Sequence, residues 1–254
     1  IAYQRAFLRP DNATIIVTGA VTPATILPLL ERHFGDWQPP AGQSPPRAAI
    51  AAATGSSGTR VYLLDRPGAP QTSILAGQLL PSSFAPDRIE LNTANDVLGG
   101  TFTSRINMNL REDKHWSYGA RSSLTETRGQ RPWLLSAPVQ TDKTVESIQE
   151  IRRELAEFLA TRPITADEVA KIRSRDVRAL SGQYETNAAV SGAIGDIVRF
   201  GRADDYVRTL RARLQAQTDA GVRQAAALAF QPDSLTWVIV GDLSKIEAPL
   251  RELG

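Results

Sequence analysis

Two stretches far apart in this chain are written to one pattern, and together they constrain the fold more than anything else in it. Residues 10–19 read PDNATIIVTG and residues 232–241 read PDSLTWVIVG. Each sets Pro-Asp ahead of a Thr, a run of apolar or β-branched residues and a Gly. That order reads as a turn, a strand and a second turn. Each then enters a short helical stretch, TPATILPLLERHFGDW after the first and SKIEAPLRELG after the second. Turn, strand and helix recur at the same point of two successive units, so the chain holds the tail of one unit and the whole of the next. Chance likeness of two short segments is the alternative. Between the copies, residues 38–58 (QPPAGQSPPRAAIAAATGSSG) are dense in Pro, Ala, Gly and Ser and carry no apolar period, which makes them a linker. The expected organisation is a tail at 1–37, a linker at 38–58 and a complete domain at 59–254.

Within that domain, RVYLLDRP and QTSILAGQLL read as two strands around a Pro-Gly turn. Residues 86–114 give two helical stretches broken at Gly99 and Gly100. SYGARSSLTE and PWLLSAPVQT suit antiparallel strands around Arg128-Gly129, with a strand from about Ser117. From Thr144 to about Thr161 apolar residues recur every three or four positions, the mark of an amphipathic helix. Thr165 with Glu168 three residues on is a capping-box signature for the next helix. Further helices are expected over 187–200, 203–213 and 218–229, before the final strand. Strands, then helices, then a strand define an α+β fold, an antiparallel or mixed sheet with helices on one side.

Charge and composition remove several functions. The 254 residues carry 29 basic and 27 acidic side chains, a net charge of +2 with no basic stripe, which argues against nucleic acid. No apolar run approaches the roughly 18 residues of a membrane span. The absence of cysteine excludes disulfides and thiolate metal sites. The start at Ile1 looks like a cut inside a longer protein. The chain's two histidines, His33 and His115, form no His-Glu-x-x-His or His-x-x-Glu-His pattern, so no zinc site is legible. Gly99-Gly100 lacks the lysine and hydroxyl residue of a phosphate loop, and Ser104, Ser117 and Ser122 lack a nucleophile elbow. The pair can be helix punctuation, or its missing side chains can admit a substrate backbone.

The stretch LNTANDVLGGTFTSRINMNLREDKHWSYGARSSL resembles the second-domain segment of the M16 metallopeptidases, the pitrilysin, insulin-degrading and mitochondrial processing peptidase group. Leu98, Gly99, Gly100, Phe102, Ser104, Arg105, Leu110, Arg111, Glu112 and Tyr118 match that pattern. LRPDNATIIVTGAVTPATILPLLERHFGDW is similar to the family's domain ending. His115 and Trp116 depart from the small or aliphatic residues expected ahead of the tyrosine. The family's zinc motif is missing, so the likeness is to the non-zinc half.

The resemblance implies a clam-shell half that closes over a peptide substrate and supplies Arg111 and Tyr118 to an active site whose zinc lies in a partner domain or subunit. A guanidinium and a phenol there would stabilise the negative charge that develops on a carbonyl oxygen under attack. It further implies substrate contacts at Gly99, Gly100, Thr101 and Phe102, no metal ligand in this chain, no activity of this chain alone, and a periplasmic or cell-envelope setting. A non-catalytic structural or assembly module of the same fold is the alternative.

Overall fold

The computed structural model describes residues 2–42, 44–45, 51–55 and 57–253. Residues 43, 46–50 and 56 of the expected linker lie outside them. The elements are α1 (Ala2–Phe7), α2 (Pro23–Phe34), β1 (Arg60–Asp65), β2 (Gln71–Leu80), α3 (Arg88–Asn95), α4 (Arg105–Asn107), β3 (Arg121–Leu124), β4 (Arg131–Gln140), α5 (Thr144–Leu159), α6 (Ala166–Ala179), α7 (Asn187–Phe200), α8 (Tyr206–Gln215), α9 (Asp219–Ala229), β5 (Thr236–Gly241) and α10 (Leu243–Arg251). Two compact units contain them, Ile1–Ala51 with Ala179–Thr209, and Ala52–Arg178 with Leu210–Gly254. No helix among the described residues is long and apolar enough to cross a membrane.

The larger unit is built on one five-stranded sheet in the order β1-β5-β2-β4-β3. β1 runs parallel to β5, and every other pair is antiparallel, so the sheet is mixed. Its register follows from period-two burial, which puts every second side chain on the same face. Ile74, Ala76 and Leu80 of β2, Trp133, Leu135 and Ala137 of β4, and Trp237 and Ile239 of β5 are all buried. They form one core with Leu91 of α3, Ile151, Leu155 and Phe158 of α5, Val222 of α9 and Ile246 of α10. Phe230 meets both Trp133 and Phe158 edge-on, at 5.5 and 6.3 Å between ring centroids. On the alternate positions, Leu75, Leu79 and Leu134 are exposed. The sheet therefore carries its helices on one side, and the α+β expectation holds.

Two expectations are corrected. The strand foreseen from Ser117 begins at Arg121, and Ser117 makes only an isolated bridge to Val139. Its N–H and that of Trp116 are already given to the Leu110 carbonyl, at 3.2 and 2.9 Å, and cannot join a ladder. The strand foreseen in the first repeat copy joins no sheet among the described residues. In the smaller unit that segment instead lies beside α7, with Thr18 Oγ1 donating to the Asn187 carbonyl at 3.0 Å.

The start of α6 shows the expected capping box. Thr165 Oγ1 accepts from the Glu168 N–H at 3.2 Å, and Glu168 Oε2 accepts from the Thr165 N–H at 2.9 Å. The same carboxylate takes a two-pronged hydrogen bond from Arg105, at 2.8 and 2.7 Å, tying α4 to α6. Burial alone would raise the Glu168 pKa, but the Arg105 and Thr165 hydrogen bonds and the Arg105 charge outweigh it and leave the carboxyl below its ordinary value. An unfolded glutamate titrates near about 4.3. Because the folded value is lower, the stabilisation is complete above that pH and is lost as pH falls through the folded value. Urea unfolding of the native protein and Glu168→Gln from pH 7 downward should show a constant gap that closes below about pH 4. A gap unchanged at pH 3 contradicts this role for the carboxylate.

Candidate functional site

α3 and α4 do not simply end. Each runs on into a wider, π-helical turn, Asp96–Gly100 after α3 and Met108–Asp113 after α4. Such turns are rare and often lie at functional positions. The first exists because of its glycines. A Cβ on Gly99 would collide with Ser122 of β3, and one on Gly100 with Asp96 and Asn95. The room left by the absent side chains is thus filled from within the chain, which lets the turn press against the sheet edge. Asn95 anchors the contact. Its Oδ1 accepts from Ser122 Oγ at 2.7 Å and from the buried Trp133 Nε1 at 2.9 Å. Thr101 spends its hydroxyl on the Asp96 carbonyl at 3.0 Å, while Phe102 is 53% exposed.

The second turn carries Arg111. It closes through the Lys114 N–H to the Asn109 carbonyl at 2.9 Å, and His115 then takes a left-handed backbone, φ 58°. For a non-glycine residue that conformation costs about 1 kcal/mol or more. It reverses the chain so that Trp116 and Ser117 can cap the Leu110 carbonyl, in the manner of a helix C-terminus. His115 Nδ1 lies 3.0 Å from the Arg111 carbonyl oxygen, and Gln140 donates to the His115 carbonyl at 3.0 Å. Leu110 and Ser117 are hydrogen-bonded, and Arg111 and Tyr118 are the next residues on either side of that bond. The fold therefore brings the backbones of the two expected site residues together. The Arg111 guanidinium stands 4.6 Å above the Phe102 ring, with Nε 3.3 Å from Glu112 Oε1. Tyr118 is 87% exposed, and its hydroxyl has no hydrogen-bond partner among the described residues. A cation stacked on a ring and a free phenol are each groups of the kind that can stabilise an oxygen gaining negative charge.

Two asparagines organise this surface, and the sequence reading passed over both. Asn107 is buried and joins the three site segments. It donates to the Phe102 carbonyl at 2.6 Å and accepts from the Ala120 N–H at 3.0 Å. Asn109, also buried, reaches α5. The available signal was two polar residues inside the apolar helical run INMNL. An apolar groove lies elsewhere, beside β1 below α5 and α10, and includes neither Arg111 nor Tyr118. Among the described residues no three His, Cys, Asp or Glu side chains gather so as to hold a metal ion. The donor set present does not fit zinc, and no zinc chemistry is assigned to it.

These features define an α+β domain with a half-buried arginine, an exposed tyrosine and no metal cluster among its described residues. The chain belongs to the M16 peptidase family, whose inactive-domain model matches residues 1–175. It is 28% identical over 116 residues to an uncharacterised zinc protease of Mycobacterium leprae, a match covering 45% of this chain and 25% of that one. A protease from Helicobacter pylori superposes with a TM-score of 0.83 at 18% identity, over 94% of this chain and 57% of its own. The peptidase M16 inactive domain from Pseudomonas fluorescens gives 0.76 at 20% identity, over 88% and 52%. The chain thus spans a quarter of the first relative and little more than half of each solved chain.

Close packing at the first turn is testable. Gly99→Ala should destabilise the protein by about 1 to 3 kcal/mol, read as a lower urea midpoint. In a Ser122→Gly background, which clears the obstructing side chain, Gly99→Ala should cost less than it does in the native protein. Full stability of the single variant would mean that the turn has slack.

Proposed function

We propose that this chain is the non-zinc portion of an M16 zinc peptidase, holding peptide substrate and supplying Arg111 and Tyr118 opposite a zinc-binding domain carried in cis or in trans. The observation that supports the reading best is the shared junction at Leu110 and Ser117. It lies one residue before an arginine braced on an exposed ring and one residue before an unpaired, almost fully exposed tyrosine. Neither exposure is needed by the core. A large aromatic left in water with a free hydroxyl suits a surface that another body covers.

In peptide hydrolysis the carbonyl oxygen becomes an oxyanion as its carbon turns tetrahedral. Arg111 contributes a fixed positive charge and Tyr118 a neutral donor, and both act more strongly once a closing partner excludes water. Thr101 and Phe102, with Gly100 before them, form the rim along which a peptide would lie, while Gly99 is buried against Ser122. In the domain organisation we propose with this, residues 1–37 are the tail of a preceding homologous domain, 38–58 a linker and 59–254 the complete non-zinc domain.

The test is peptide cleavage by the parent protein, or by this chain reconstituted with its zinc-binding partner, at equal zinc occupancy. Arg111→Ala should lower kcat by about 10²- to 10³-fold, and Tyr118→Phe by a smaller factor, with zinc content and melting temperature unchanged. Unchanged turnover in both variants removes the proposed roles. Absence of cleavage even by the wild type favours a non-catalytic assembly module of the same fold.

A further inference from the structure

We infer that Asn109 is the positioning residue for Arg111, acting through a two-carboxylate clamp on α5. This rests on the role proposed above for Arg111. The Asn109 side-chain amide donates one hydrogen to Glu150 Oε2 at 2.7 Å and the other to Glu154 Oε1 at 2.9 Å. Glu154 is 4% exposed, and a buried carboxylate is costly unless it is paired and hydrogen-bonded. Both carboxylates also have cationic neighbours. Arg153 pairs with Glu150, whose Oε1 lies 3.9 Å from Lys114 Nζ, and Arg162 approaches Glu154 at 3.6 Å. Burial tends to raise the Glu150 pKa, yet the hydrogen bonds from Asn109 and Arg153 and the charges of Arg153 and Lys114 bring it below the ordinary value. The clamp therefore keeps an ionised, acceptor-only arm near neutral pH.

The backbone of the same residue explains what is being positioned. The Asn109 carbonyl accepts the Lys114 N–H and so closes the turn in which Arg111 sits. Its side chain fixes that turn to α5, its main chain fixes the width of the turn, and the arginine is two residues on. Apolar packing of Ile106 and Leu110 already holds the element to the core. Non-directional packing sets distance but permits rotation about the turn's own axis, whereas two hydrogen bonds from one planar amide do not. The Asn109 Oδ1 and Glu154 Oε2 atoms are buried and unpartnered, a polar cost that apolar residues at both positions would avoid. That cost is accounted for if direction at Arg111, and not adhesion, is what the asparagine provides.

A double-mutant cycle on the parent protein, or on the reconstituted pair, tests this with a quenched fluorescent peptide as probe. Asn109→Leu should lower kcat by about tenfold to a hundredfold with little change in KM, as expected for a misplaced group. In an Arg111→Ala background it should lower kcat no further. Glu150→Ala removes the half-buried arm and is the safer variant if Asn109→Leu folds poorly. It should give a smaller kcat loss that is likewise silent in the Arg111→Ala background. Equal fractional losses in both backgrounds overturn the inference while leaving the Arg111 reading intact. An Arg111→Ala variant of native kcat overturns both.

Discussion

The contact on which the site depends is the close approach of the turn after α3 to β3. It is possible only because positions 99 and 100 carry no side chain, and it is locked by Asn95, which serves Ser122 and Trp133 with a single oxygen. Trp133 in turn is the aromatic centre of the core, packed edge-on against Phe230. A side-chain hydrogen bond buried at this depth is strong, and an orphaned one is expensive, so the turn, the edge strand and the core stand or fall as one unit. Phe102 is held at the surface by that arrangement, and Arg111 stacks on it.

The same logic of satisfied backbone groups shapes the second turn. A helix end must dispose of its last carbonyls, and here Asn109 and Leu110 are served by Lys114, Trp116 and Ser117. That solution requires a reversal at His115 and delays the strand to Arg121. The strained residue and the shortened strand are consequences of one capping requirement. The outcome is that Arg111 and Tyr118 each follow a residue of one backbone hydrogen bond, while Asn107 joins the loop carrying Phe102 to the chain just beyond Tyr118.

Local signals carried most of the fold into the sequence. Alternating burial in QTSILAGQLL and PWLLSAPVQT, the three-and-four spacing of α5 and the Thr165–Glu168 box each act within a few residues, and each reappears in the structure. What escaped depends on partners distant in sequence. The glycine pair reads equally as punctuation or as room for a ligand, and only the position of Ser122 shows that the chain itself fills the room. The π-helical turns have no local period, because their extra residue is set by packing on β3 and α5. Asn107 and Asn109 read as interruptions of an apolar face until their partners on other elements are known. Arg131 is similar. Wholly buried at the start of β4, it donates to the Pro81 carbonyl and to Asn92 and Glu126, a clamp that no motif announces.

The repeat carries the reasoning one step further. In the second copy the strand is central, parallel to β1 on one side and antiparallel to β2 on the other, and its inward residues are Trp237 and Ile239. The positions equivalent by pattern in the first copy are Ile15 and Val17, and these are the two large residues of that strand-like segment left exposed. Leu27, Leu29 and Phe34 of α2 are exposed as well, whereas α10 buries Ile246 and Leu250. Alternation fitted to a sheet face has no use in water, where each such side chain forgoes about 1.5 to 3 kcal/mol of burial. The strand-like segment of the first copy thus presents the face that its counterpart uses inside a completed sheet. This supports the proposal that residues 1–37 close a preceding homologous domain.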